Sequence, residues 1–190
     1  KVFCEDRQLN VSPVYLRPGF AFGGSCLPKE VRGIVALGKQ RDVDMPMLNH
    51  VIASNAAHIE RAYALLAKAE RPVALVGGQV FWSKRRAAYE PFIEQFGLPV
   101  YVNAQGRGSL PPDHPYYFHR TRKDALKSAD VILIFGTPLD FRLGYGRSSH
   151  LNPDAKVIQV DLDGGEIGRN RHIDVGIVGD TGLVMAQLTA

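Results

Sequence analysis

The residues best placed to do chemistry lie near the start of the chain, in Ser25-Cys26-Leu27-Pro28-Lys29. Pro28, followed by Val31, Ile34, Val35 and Gly38 at helical spacing, predicts a helix that opens just after the cysteine. A thiol at that position faces unpaired backbone N–H groups and the positive end of the helix dipole, with Lys29 as a nearby cation. All three favour the thiolate, which is the nucleophilic form. Gly19, Gly23 and Gly24 let the preceding backbone turn sharply and come close to a ligand, and Arg17 has the fork geometry for a phosphate. The chemistry implied is covalent catalysis on an anionic substrate. The alternative is a glycine-rich loop around a small buried cysteine.

A second group of candidates lies further along. Gly77, Gly78, Gly136, Arg142, Asp161 and Asp163 all follow apolar, strand-like runs. Open α/β sheets bind ligands at the carboxyl ends of their strands: glycines admit a phosphate, an arginine pairs with it, and an aspartate accepts from ribose hydroxyls. The competing reading makes these the turn and cap residues that any such sheet needs. Asp161 and Asp163 share a face at i, i+2, but with no further carboxylate they do not make a metal site. His114, His119, His150 and His172 show no ligand spacing and read as surface or capping residues, while Trp82 beside Phe81 reads as cover for a sheet edge or for the helical part.

These residues need elements to hold them. Pro46 starts a second helix whose stripe Leu48, Ile52, Asn55, Ile59, Ala62 and Leu66 continues to Ala69. That stripe is buried either against a downstream sheet or against a second copy of the chain. From Arg71 onward, strands at Val73–Val76, Leu98–Val102, Val131–Phe135, Lys156–Val160 and Asp174–Val178 alternate with helices at about Lys84–Phe96, Arg122–Ser128 and Leu183–Leu188. The pattern predicts an α/β fold: a small helical segment over residues 1–69, joined by a long helix to a doubly wound, mostly parallel, Rossmann-like sheet of five to six strands over 70–190.

Composition bounds the partners. Of the 190 residues 23 are Lys or Arg and 19 Asp or Glu, and apart from short clusters such as Lys84-Arg85-Arg86 the two signs are interspersed. No nucleic-acid partner is expected from that pattern. Cys4 and Cys26 are too few for a disulfide framework or a zinc site, which points to a reducing cytoplasm. No apolar stretch reaches membrane-spanning length, so no membrane partner is expected either.

Two resemblances add to this reading. Residues 1 to about 55, including Arg17-Pro-Gly-Phe-Ala-Phe-Gly-Gly-Ser-Cys-Leu-Pro-Lys29, resemble the central segment of the nucleotide-sugar 6-dehydrogenase family, GDP-mannose type. The resemblance implies that Cys26 forms thiohemiacetal and thioester intermediates, and that Asn10, Arg17 and the loop Phe20, Gly23 and Gly24 hold the sugar nucleotide. Glu30 departs from the family's aspartate, and a carboxylate moved by one methylene matters to proton handling. That family also uses a dinucleotide-binding domain and a lysine-bearing helix, neither of which these residues supply, and no G-x-G-x-x-G opens a helix here.

The stretch from about Ile59 to the end resembles the central domain of thiamine-diphosphate-dependent enzymes of the acetolactate synthase and 2-hydroxyacyl-CoA lyase type. The match is carried by Arg71-Pro-Val-Ala-Leu-Val-Gly-Gly78, Asn103-Ala-Gln-Gly-Arg-Gly-Ser-Leu-Pro-Pro-Asp-His-Pro115 and Ala129-Asp-Val-Ile-Leu-Ile-Phe-Gly-Thr-Pro-Leu-Asp-Phe-Arg142. The resemblance implies that this domain holds FAD or ADP in some members, while flanking domains hold thiamine diphosphate.

Two partial families sharing one helix lead to the expectation of an engineered fusion, joined around Asn49–Glu60 and without catalytic activity. It would bind no metal and no cofactor beyond weak FAD or ADP, and would self-associate through the N-terminal helical segment. The alternatives are a nucleotide-binding module for FAD, ADP or CoA, and a remnant NAD-dependent nucleotide-sugar 6-dehydrogenase using Cys26.

Overall fold

Runs as apolar as Val131–Phe135 can be accommodated only in a sheet covered on both faces. The computed structural model describes residues 21, 22 and 26–190. In it the runs form one six-stranded sheet in which every paired neighbour is parallel. The strands are β1 (Ala21–Phe22), β2 (Pro72–Val76), β3 (Val100–Val102), β4 (Val131–Phe135), β5 (Lys156–Asp161) and β6 (Val175–Val178), in the spatial order β1-β6-β5-β4-β2-β3. The helices are α1 (Cys26–Gln40), α2 (Pro46–Ala67), α3 (Gly78–Trp82), α4 (Tyr89–Phe96), α5 (Arg122–Ser128) and α6 (Thr181–Thr189). The expected α/β class and mostly parallel sheet are therefore present, with β1 added at one edge by the N-terminal part.

Alternation along each strand sorts the core into two layers. Ala74, Val76, Leu133, Phe135, Ile158 and Val160 face α2, α4 and α6, where they meet Leu66, Phe92, Ile93 and Met185. Val73, Leu75, Ile132, Ile134 and Val157 face the other way, against Leu126 of α5, Leu143 and Leu151. Each fully buried Leu, Ile or Phe contributes about 1.5–3 kcal/mol, so wholly apolar strands are stable here only because both layers exist. The C-terminal half of α2 buries Ala62 and Leu66 on the sheet and α6, whereas Leu48 and Ile52 in its first half are only half-buried.

Several boundaries differ from expectation. Helix α1 begins at Cys26, so the cysteine is its first residue and not the one before it. The first four N–H groups of a helix have no intrahelical partner, so Pro28 is tolerated two residues inside the start. The segment expected as one helix from Lys84 opens as a 3-10 turn, Arg86–Ala88, before α4. Helix α3 follows directly on Gly77, where a Gly-Gly pair reads as a turn.

Candidate functional site

From β2 the chain crosses by α4 to β3 on one side, then returns by α5 to β4 on the other side of β2. Connections that leave in opposite directions open a crevice beyond the carboxyl ends of the two strands. Gly77 and Gly136 end β2 and β4 at that point, with Gly77 N–H donating to Phe135 O at 2.9 Å. A Cβ on Gly77 would lie 2.2 Å from the Gly136 carbonyl oxygen and 2.5 Å from Thr137 Cβ. Gly136 adopts φ +58°, and its Cβ would lie 2.3 Å from that of Gln79. The two strand ends can approach this closely only because neither residue has a side chain.

Above the glycines lies a cleft of about 520 Å³, lined among others by Gly78, Gln79, Asn103, Thr137, Arg142 and Asp180, with Trp82 and Leu162 at its rim. Its floor is fixed by hydrogen bonds. Asn103 Nδ2 donates to Thr137 Oγ1 at 3.0 Å, both side chains being buried. Gln79 Nε2 donates to Asp161 Oδ1 at 2.8 Å, and Gln79 Oε1 accepts from Leu162 N–H at 3.0 Å, which ties α3 to the end of β5. Asp180 caps α6 by accepting from Leu183 N–H at 3.0 Å and also accepts from Ser83 Oγ at 2.6 Å. The rim is apolar and wet: Trp82 is 74% exposed and Leu162 58%. A rigid polar floor under exposed apolar walls suits a ligand with a charged part and a flat apolar part.

The structure brings together part of what the sequence singled out. Gly78, Gly136 and Arg142 line this cleft, and Gly77 packs against Gly136 beside it. Asp161 and Asp163 line a neighbouring cleft of about 490 Å³ that shares Gln79 and Pro138 with the first. Both aspartates are already engaged. Asp161 is 2% exposed and accepts from Gln79 and from Asp163 N–H, and Asp163 accepts from Gly165 N–H at 2.8 Å. Arg142 is not a free fork either: its Nε and Nη2 donate to Asp140, whose carboxyl that guanidinium holds below the usual range. The turn-and-cap reading thus accounts for Asp163, while Asp161 and Arg142 have structural partners as well as a place at the clefts.

The other candidates lie apart. Asn10, Arg17, Phe20, Gly23 and Gly24 lie outside the described residues. Glu30 is exposed on α1, and no residue of α1 lines either strand-end cleft. His114 corrects its surface assignment, being 8% exposed, because the turn from Pro111 folds it under α4. Trp82 covers no sheet edge but stands at the mouth of the cleft. Sequence reasoning missed Gln79, Asn103, Thr137 and Asp180. Their signal was position, each within a few residues of an apolar strand's end.

Comparison with known proteins gives the kinship. Residues 59–188 match the family described as thiamine pyrophosphate enzyme, central domain. Residues 1–57 match the UDP-glucose/GDP-mannose dehydrogenase family, central domain. An acetolactate synthase of Mycobacterium leprae is 34% identical over 172 residues, covering 86% of this chain and 27% of its own length. A 2-hydroxyacyl-CoA lyase 2 of Danio rerio is 32% identical over 156 residues, covering 80% of this chain and 25% of its own length. A crystal structure from Mycobacterium smegmatis, described as a thiamin diphosphate-dependent enzyme, superimposes with a TM-score of 0.61 at 22% identity, over 71% of this chain and 27% of that one; it shows the fold. The chain spans about a quarter of the length of these relatives.

These matches overturn the expectation of an engineered, non-catalytic chimera. An alignment covering 86% of the chain is longer than residues 59–188, so the likeness to one natural enzyme runs back across the supposed join in α2. The expectation of no enzyme falls with it, as does the expectation of no cofactor, since the family is one of thiamine pyrophosphate enzymes. The described residues do not by themselves complete a seat for a metal-bound diphosphate at the strand ends: the carboxylates of Asp161, Asp163 and Asp180 are spent on internal hydrogen bonds, and Arg142 is paired. With two thirds of its length matched and the sheet in agreement, the chain belongs to the thiamine pyrophosphate enzyme central-domain family.

Proposed function

We propose that the chain serves as the central domain of a thiamine-diphosphate-dependent lyase or transferase of the acetolactate synthase and 2-hydroxyacyl-CoA lyase kind. In that enzyme thiamine diphosphate supplies the carbanion chemistry and is held mainly outside the residues described here. The central domain contributes the crevice between β2 and β4, which takes a diphosphate-bearing ligand. The observation that carries the reading is the cleft at the switch point, lined by Gly78, Gly136, Asn103 and Thr137 above strand ends that the close packing of Gly77 on Gly136 holds together. Asn103, Thr137 and Gln79 present a fixed hydrogen-bonding floor, Arg142 stands at the edge paired with Asp140, and Trp82 and Leu162 shield the flat part of the ligand.

Calorimetric titration with ADP, FAD and thiamine diphosphate tests the cleft. Saturable binding of one of them, weakened by Gly136→Val, supports it, and absence of heat for all three at millimolar ligand counts against it. The reaction class is tested on the whole enzyme that carries this domain, by consumption of pyruvate or of a 2-hydroxyacyl-CoA with thiamine diphosphate and Mg2+ present. An enzyme that binds thiamine diphosphate yet consumes neither contradicts the assignment.

Self-association is proposed as well, through the helical part. Ile34, Leu37, Val43 and Met47 of the α1–α2 hairpin are each about half exposed or more, which is costly for a face left in water. No described helix is long and apolar enough to cross a membrane. A cytoplasmic setting accords with the scarcity of cysteine.

A further inference from the structure

Helix α4 presents Glu90 and Glu94 one turn apart on its outer face, and the turn after β3 folds His114 beneath them. The His114 side chain is only 4% exposed, yet its Nε2 has no hydrogen-bond partner. That nitrogen points at the two carboxylates, 3.8 Å from Glu90 Oε1 and 3.9 Å from Glu94 Oε1. A buried nitrogen that stops just short of two carboxylate oxygens is costly unless something occupies the gap. We propose that the gap is a binding site for a divalent transition cation of the zinc class, with Glu90, Glu94 and His114 as its protein ligands and water completing the shell.

The geometry suits such an ion. The three ligand atoms lie within 4.8 Å of one another. With the imidazole nitrogen 3.8 and 3.9 Å from the two oxygens, and these no more than 4.8 Å apart, a cation equidistant from the three would sit no more than about 2.5 Å from each, against the about 2.0–2.2 Å that zinc takes with imidazole nitrogen and carboxylate oxygen. The shortfall is a few tenths of an ångström, and both glutamates are free to supply it, their side chains being 55% and 60% exposed. Imidazole with carboxylates favours zinc, nickel or copper over calcium and magnesium, which take oxygen alone.

Coordination through Nε2 puts the imidazole proton on Nδ1, the atom that accepts from Tyr116 N–H at 3.3 Å. The ion must therefore displace that long contact, which makes the Tyr116 amide a reporter of binding. The role is a clamp: Tyr116 O accepts from Val100 N–H, and Tyr117 pairs with Val100, so fixing His114 to α4 pins the segment that lengthens the edge strand β3. The site is separate from the strand-end cleft, so its failure would leave the reading of that cleft intact.

The test is zinc and cobalt titration of the whole chain, with Glu90→Gln/Glu94→Gln as the principal variant, since both positions are on the surface and tolerate an amide. The expected result is one equivalent bound, a shift of the Tyr116 amide resonance, cobalt absorption bands of a nitrogen–oxygen site, and affinity weakened at least about tenfold per glutamate removed. His114→Gln should abolish binding. The exposed histidines His50, His119, His150 and His172 persist in the double variant and serve as the internal control. Zinc bound equally by wild type and double variant, or no binding at millimolar zinc, would overturn the proposal.

Discussion

Replacing Gly77 by alanine should test the architecture of the strand-end crevice. Gly77 sits at φ −113°, ψ −168°, extended backbone that any residue adopts, so the substitution carries no conformational penalty of its own. Its cost is contact alone. The new methyl would meet the Gly136 carbonyl oxygen at 2.2 Å and Thr137 Cβ at 2.5 Å, neither of them the end of a flexible side chain. Relief requires β2 and β4 to part by about 1 Å at their ends, which stretches the 2.9 Å bond from Gly77 N–H to Phe135 O. Overpacking costs about 1–3 kcal/mol and a strained backbone hydrogen bond about 1 more. We expect destabilisation by about 3 kcal/mol, or a fall in Tm of roughly 6–12 °C for a domain of this size. Gly33→Ala is the matched control. Gly33 lies within α1 with nothing within 4 Å of the point a Cβ would occupy, so alanine there should raise stability by up to about 1 kcal/mol. Urea unfolding followed by circular dichroism reads both. A Gly77→Ala protein within about 0.5 kcal/mol of wild type would mean that the strand ends are not packed this closely, and the crevice argument would fail.

Other outcomes follow from the same structure. Gln79→Ala removes the link from α3 to Asp161 and to Leu162 N–H, and should cost about 1–2 kcal/mol by urea unfolding while weakening any ligand of the cleft. Arg142→Ala should weaken that ligand by no more than about tenfold, because Asp140 already occupies its fork; a larger loss would show that the guanidinium leaves Asp140 to bind. Burial would raise the Asp130 carboxyl, but the N–H groups of Glu70 and Arg71 outweigh it and hold the group below its ordinary value. Stability from such a carboxyl is present above its unfolded pKa of about 3.9 and lost as pH falls through the lower folded value, so Asp130→Asn should lower Tm at pH 7, with the difference from wild type shrinking as the pH is taken below about 3.9. Leu37→Asp/Met47→Asp should shift any dimer to monomer in light scattering, with the fold by circular dichroism unchanged.

How much was legible depended on whether a residue's role was local or set by topology. Val131–Phe135 declared a doubly covered strand on its own, and Gly77 and Gly136 declared special backbone because each follows such a strand. Gln79 and Asp161, 82 residues apart, meet only because α3 lies over the end of β5, and nothing in either sequence neighbourhood carries that. His114 was misread for the same reason. Its spacing from Glu90 and Glu94 has no metal-site period, and only the fold of the turn at Pro111–Pro115 under α4 brings them together. The engineered-fusion reading erred differently, treating α2 as a seam because its two ends resembled different families, although one natural relative's likeness continues through it.

The central claim is that the crevice between β2 and β4 is the ligand site of a thiamine pyrophosphate enzyme central domain. Amide chemical-shift mapping during titration with ADP, FAD or thiamine diphosphate tests it most directly. The account predicts saturable shifts centred on Gly77, Gly78, Gln79, Gly136 and Thr137, with the Trp82 indole responding and α5 silent. Saturable shifts centred on another face, or none at millimolar ligand from a folded sample, would contradict it.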